Sequence, residues 1–122
     1  MYSSEALTLR GESIFADNVG GVFGGAISVS SSGIVGVPTI FTIADSSTFA
    51  NNTAESSGGA VDLTFIDATI SGVTTFTNNS ARESDGGAIR YGDGSLTIEG
   101  ETYFGFNSAG GNGGETSWVD LV

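Results

Sequence analysis

The sequence predicts an all-β parallel β-helix (β-solenoid) of about four coils, roughly 27–28 residues per coil, on three observations. A Phe-x-x-Asn tetrad occurs four times, a glycine pair follows each tetrad at a near-constant distance, and a Thr-aliphatic pair precedes each at a constant one. A unit this short, built of strands and corners, has no second layer on which to bury its apolar face. Stacking like units supplies one.

The tetrads run from Phe15 to Asn18, Phe49 to Asn52, Phe76 to Asn79 and Phe104 to Asn107. Successive copies lie 34, 27 and 28 residues apart, so the first unit carries an insertion, expected between Val29 and Ile40. The glycine pairs are Gly24-Gly25, Gly58-Gly59, Gly86-Gly87 and Gly113-Gly114. The first three continue into Ala-Ile or Ala-Val, and the fourth does not. The preceding pairs are Thr8-Leu9, Thr42-Ile43, Thr69-Ile70 and Thr97-Ile98. One domain over 1–122 is expected, with coils approximately at 7–39, 40–66, 67–94 and 95–122.

Within each unit, runs of β-formers are broken by Gly, Asn, Asp or Ser, the period of strands rather than of helices. In Val61-Asp62-Leu63 and Ile89-Arg90-Tyr91 the outer residues are expected to point inward and the middle one outward. Stacking coils about 4.8 Å apart turns the phenylalanines into an aromatic column. The asparagines become an amide ladder at a corner where Asn tolerates left-handed backbone. The glycine pairs mark a corner that needs positive φ or close backbone approach. Charges agree with this alignment, because it sets Glu55 beneath Arg82 and Asp62 beneath Arg90.

Phe-x-x-Asn alternating with Gly-Gly-Ala-Ile/Val resembles the repeat of the bacterial polymorphic outer-membrane proteins. Four tetrads and three glycine motifs carry the resemblance over nearly the whole chain. It implies a right-handed parallel β-helix, and a surface-displayed adhesin passenger of the autotransporter type. An extracellular or cell-surface location follows, with an organelle lumen or the periplasm as the alternative after loss of a targeting segment. The first residues, Met1 to Leu7, do not have the pattern of a signal peptide.

Composition narrows the chemistry. Fourteen acidic residues against three arginines give a net charge of −11, which argues against nucleic acid and against an anionic membrane surface. No segment has the length and apolarity of a transmembrane helix. With no His, Cys or Lys, a serine or cysteine nucleophile lacks its usual base. A lyase of the pectin type would have only Arg10, Arg82 and Arg90 as proton acceptors. A glycosidase pair is conceivable from Asp62 with Asp45, Asp67 or Asp93, but solvated acidic surface is the simpler reading. No catalytic, cofactor or dedicated metal site is expected, and the chain is read as non-enzymatic. The acidic turns Asp85-Gly-Gly and Gly92-Asp93-Gly94 offer oxygen ligands for adventitious calcium at most. Gly110 to Gly114 lacks the following Lys of a phosphate loop and reads as a corner.

The outward column Thr8, Thr42, Thr69, Thr97 has the form of an ice-binding threonine array, yet one hydroxyl column on an exposed strand is ordinary β chemistry. Asn51 and Asn78 each meet the N-glycosylation pattern, relevant only in a eukaryotic secretory setting. Candidate interface residues are Ser28, Asp62 and Arg90 on the long face. Trp118 and Leu121 are expected to cap the last core layer. Two functions stand: a surface adhesion, display or protein-interaction module, or a small structural subunit that stacks end-on into a filament or larger complex. The expected partners are a host or matrix surface ligand, and a protein or a stacked copy at an exposed coil end.

Overall fold

A computed structural model describes residues 5–31, 39–83, 86–92 and 94–110. Among them fourteen short strands follow one another: β1 (Glu5–Leu9), β2 (Glu12–Ala16), β3 (Ile27–Ser30), β4 (Thr39–Ile43), β5 (Ser46–Ala50), β6 (Thr53–Ala54), β7 (Val61–Thr64), β8 (Asp67–Ile70), β9 (Val73–Thr77), β10 (Ser80–Ala81), β11 (Ile89–Gly92), β12 (Ser95–Ile98), β13 (Glu101–Gly105) and β14 (Ser108–Ala109). None pairs with its neighbour in sequence. Each pairs, in parallel, with the equivalent strand of the next unit. Four sheets result, ordered β1-β4-β8-β12, β2-β5-β9-β13, β3-β7-β11 and β6-β10-β14. This is a parallel β-helix.

The repeated landmarks lie over one another. Phe15 pairs with Phe49, Phe49 with Phe76 and Phe76 with Phe104. Thr8, Thr42, Thr69 and Thr97 likewise form one column. The phenylalanine rings stack at centroid distances of 4.9, 4.8 and 4.9 Å, tilted by only 5°, 7° and 4°, so the strand spacing itself sets an offset-stacked array. Phe41, Ile43, Phe49, Leu63, Ile70 and Phe76 are fully buried at its centre, while Phe15 and Phe104 are only partly covered. The core is therefore densest in the middle units and thins toward both ends. The extra residues of the first unit fall between Ser31 and Thr39, since Ser30 pairs with Thr64 and Ile40 with Asp67.

The glycine pair divides its work between its two members. Gly58 takes φ +65°, the left-handed region that a Cβ disfavours, whereas a Cβ on Gly59 would run into the Gly87 carbonyl oxygen of the next unit. The asparagine corner corrects the sequence reading. The ladder asparagines Asn18, Asn52, Asn79 and Asn107 are not in the left-handed region. The residue before each of them is: Asp17, Asn51, Asn78 and Phe106, at φ 54–57°. That preceding residue makes the bend, which leaves each ladder amide free to point along the stack. A second left-handed column, Gly11, Asp45, Gly72 and Gly100, turns the chain between the first two sheets.

Trp118, Leu121, Gly113, Gly114, Asp85 and Asp93 lie outside the described residues.

Candidate functional site

Three features could carry function: the asparagine ladder, the column Ser28–Asp62–Arg90, and the outer face of the β2-β5-β9-β13 sheet.

In the ladder, Asn18, Asn52 and Asn79 each donate both their backbone N–H and their Nδ2 to the Oδ1 of the next asparagine. The distances are 3.1 and 2.9 Å, 3.0 and 2.9 Å, and 3.0 and 2.9 Å. The second Nδ2 proton of Asn52, Asn79 and Asn107 goes backward, to the carbonyls of Phe15, Phe49 and Phe76 at 3.0, 3.1 and 3.0 Å. Each interior amide is thereby saturated, the condition under which a buried polar column stabilises. The ladder is also directional, with every donor pointing from the first unit toward the last.

On the β3-β7-β11 sheet the register sets Ser28, Asp62 and Arg90 in one column. Ser28 is exposed. Asp62 points away from the core columns of Val61 and Leu63, yet it is only 3% exposed, which corrects the expectation of an open outward carboxylate. Arg90 lies over it. Its Nη1 donates to Asp62 Oδ1 at 3.2 Å, to Asp62 Oδ2 at 3.4 Å and to Thr64 Oγ1 at 3.0 Å, while the Thr64 hydroxyl donates to Asp62 at 3.5 Å. Burial pushes the Asp62 carboxyl above the usual aspartate range; the charge of Arg90 and the hydrogen bonds from Arg90 and Thr64 oppose that rise without cancelling it. Asp62 and Arg90 thus form a clasp between two units, and Asp62 is unavailable to a ligand. Arg82 and Glu55 are in register, as their backbone bonds show. Among the described residues, however, the ion pair is Arg90–Asp62, and the longer side chains of Glu55 and Arg82, both exposed, do not close on each other.

Alternation along β2, β5, β9 and β13 sends Phe15, Phe49, Phe76 and Phe104 inward, so the residue before each points outward. That column is Ile14, Thr48, Thr75, Tyr103. Ala16, Ala50, Thr77 and Gly105 flank it on one side, and Glu12, Ser46, Val73 and Glu101 on the other. Ile14 is 68% exposed, Tyr103 55% and Val73 51%. In a chain of net charge −11, the centre of this face carries no charge at all. Sequence reasoning missed it, although reading one residue back from each Phe of the tetrads would have found it.

The inward column two residues before each Phe was also missed. Ser13, Ser47, Thr74 and Thr102 are in register, and the hydroxyls of Ser47, Thr74 and Thr102 are buried without a hydrogen-bond partner among the described residues. Asn51 and Asn78, the glycosylation candidates, are exposed at the left-handed corner. Asp45 Oδ2 accepts the Gly11 backbone N–H at 2.8 Å, and Asp67 accepts the Ser95 hydroxyl at 3.0 Å, so each of these carboxylates serves the local structure.

The parallel stacking of one repeated unit, with its phenylalanine column, amide ladder and glycine corner, defines the chain as a β-solenoid repeat protein. The family model for the Chlamydia polymorphic membrane protein repeat matches residues 46–65 and 73–90. The two matched stretches begin on β5 and β9 and run to β7 and β11, so they occupy equivalent places in adjacent units. No curated protein and no solved structure matches the chain. No helix among the described residues is long and apolar enough to cross a membrane.

Proposed function

We propose that the chain is a non-enzymatic, surface-displayed β-solenoid module that binds a host or matrix ligand through the outer face of the β2-β5-β9-β13 sheet. The observation that carries this reading is the polymorphic membrane protein repeat at 46–65 and 73–90, since members of that family are outer-membrane proteins displayed on the cell surface. The face itself supports it. An uncharged strip of Ile14, Thr48, Thr75 and Tyr103 in an acidic chain, with Glu12 and Glu101 only at the two ends of the flanking column, offers a partner a centre without carboxylates, and exposed apolar groups framed by polar ones mark interaction surfaces. The composition supports the absence of catalysis, because the chain contains no His, Cys or Lys.

Adhesion of beads coated with the purified chain to cultured cells and to matrix proteins tests the reading. Wild-type beads are expected to adhere, and Tyr103→Asp and Thr75→Asp to abolish adhesion while circular dichroism and thermal midpoint stay near wild type. Adhesion unchanged by both substitutions, or none by the wild type, would refute it.

A further inference from the structure

The ring of Tyr103 lies down on the outer face of β13. A Cβ on Gly105 would sit 2.6 Å from Tyr103 Oη and 2.7 and 2.8 Å from its Cε1 and Cζ, so the outer half of the ring covers the backbone of Gly105, which is buried. The equivalent positions of the other units are Ala16, Ala50 and Thr77. A methyl or larger group there would hold such a ring off the sheet. One face of the Tyr103 ring is thus laid on the strand and the other turned to solvent, with the residue 55% exposed.

Hydroxyls lie beside this platform. The register sets Thr75 next to Tyr103, Thr77 next to Gly105, and Thr48 one strand further on. All three point outward and are half-buried, and none of their hydroxyls has a hydrogen-bond partner among the described residues. An aromatic face is electrostatically negative and attracts the polarised C–H groups on the apolar side of a sugar ring. A threonine hydroxyl both donates and accepts, as sugar hydroxyls do. The strands step by about 4.8 Å, about the span of one pyranose ring. A protein partner would instead need apolar area continuous at its centre, which Thr48 and Thr75 interrupt.

The surroundings select charge. Glu101, on the strand and face of Tyr103, and Glu12, at the other end of the same flanking column, are exposed carboxylates in a chain of net charge −11. An anionic saccharide is repelled by them and a neutral one is not.

We propose, on the reading that this face is the ligand-binding surface, that its ligand is a neutral, extended saccharide chain running across the strands, with one sugar ring stacked on Tyr103 and the following ones hydrogen-bonded to Thr75 and Thr48. Thr77 bonds the first ring from the side. Gly105 is a positioning residue, since it acts through the ring it lets down. A strip without walls holds a single chain weakly, with a Kd of about 1 mM, and many copies on one surface multiply that.

NMR titration of the intact chain with cellohexaose, chitohexaose and mannohexaose tests this, with a heparin hexasaccharide as the anionic comparison. At least one neutral chain is expected to shift the ring protons of Tyr103 and the methyl groups of Thr75 and Thr48, and the heparin fragment to shift none. Tyr103→Phe should keep the affinity, while Tyr103→Ala should lower it about tenfold and Gly105→Ala about fivefold. In a Tyr103→Ala background, Gly105→Ala should cost nothing further, a pattern that general loosening of the strand would not produce; circular dichroism checks the fold of each variant. Binding of none of the three neutral chains, preference for heparin, or affinity unchanged by Tyr103→Ala overturns the proposal. If beads still adhere to cells in that case and Tyr103→Asp abolishes it, the face binds a protein and only the saccharide assignment falls. If a neutral chain binds at Tyr103 but the beads do not adhere, the adhesion reading falls and the saccharide site stands.

Discussion

Asn79 takes two hydrogen bonds from Asn52 on one side-chain oxygen and passes its own amide protons to Asn107 and to the Phe49 carbonyl. All four contacts lie out of water. Asn79→Ala strands the donors of Asn52 and the carbonyl of Phe49, while Asn107 Oδ1 keeps only the Asn79 backbone N–H, and each stranded buried group costs about 1–3 kcal/mol. A loss of about 4 kcal/mol is expected for Asn79→Ala, against about 1 kcal/mol for Asn18→Ala at the less buried end. Urea unfolding of the two variants checks this, and equal losses would mean that the ladder stabilises by something other than its hydrogen bonds.

Thr74 predicts the opposite sign. Its hydroxyl is buried without a partner among the described residues, while its branched shape fills the layer beside Phe76. Thr74→Val keeps the shape and removes the orphan oxygen, so the urea midpoint should rise, by about 1 kcal/mol of stability. A destabilised valine variant would show that the hydroxyl is satisfied in solution.

The Asp62–Arg90 clasp couples stability to pH. Burial raises the folded-state pKa of Asp62 above the ordinary value of about 3.8, so the folded state holds this proton more tightly than the unfolded chain does. The contribution of Asp62 is fully present below pH 3.8 and is lost as pH rises through the folded pKa. Arg90→Ala removes the opposing charge and lifts that pKa further. At pH 7 the variant should lose about 2 kcal/mol, and most of this deficit should vanish in acid, where the carboxyl is neutral. Thermal melts at several pH values read the difference; a deficit independent of pH would assign the role of Arg90 to packing alone.

Phe106 occupies a left-handed corner that the other units fill with Asp17, Asn51 and Asn78, and it is 82% exposed there. A bulky side chain in that region is strained, and its exposure returns nothing. Phe106→Asn should therefore stabilise by about 1 kcal/mol, visible as a higher melting temperature. A fall would show that the ring packs against something in solution.

These residues also mark where sequence reading stopped. The phenylalanine column, the amide ladder and the glycine corner were legible because each repeats the same side chain at the same offset, and a repeat leaves little freedom in register. The left-handed position was misassigned because Asn51-Asn52 and Asn78-Asn79 place two asparagines side by side, and propensity cannot say which one bends; Phe106 gives no such signal at all. Asp62 was read as open because alternation tells direction, not coverage. What buries it is Arg90 from the next unit and Thr64 two residues on. Ser47 and Thr74 were overlooked for the converse reason, since polar residues in alternating strands are read as outward. The outer face of Ile14, Thr48, Thr75 and Tyr103 has no repeated residue type, so it emerges only by reading one residue back from each phenylalanine of the tetrads.

The longer first unit loses nothing in alignment: the strands on either side of 31–39 rejoin their columns as if the added residues were not there. Chain length between Ser31 and Thr39 is thus uncoupled from the pitch of the scaffold, and closing a longer connection costs only about 0.6 kcal/mol per doubling. A foreign epitope spliced between Ser31 and Thr39 is therefore expected to leave the spine unaltered, so that outline can change there while the frame is kept.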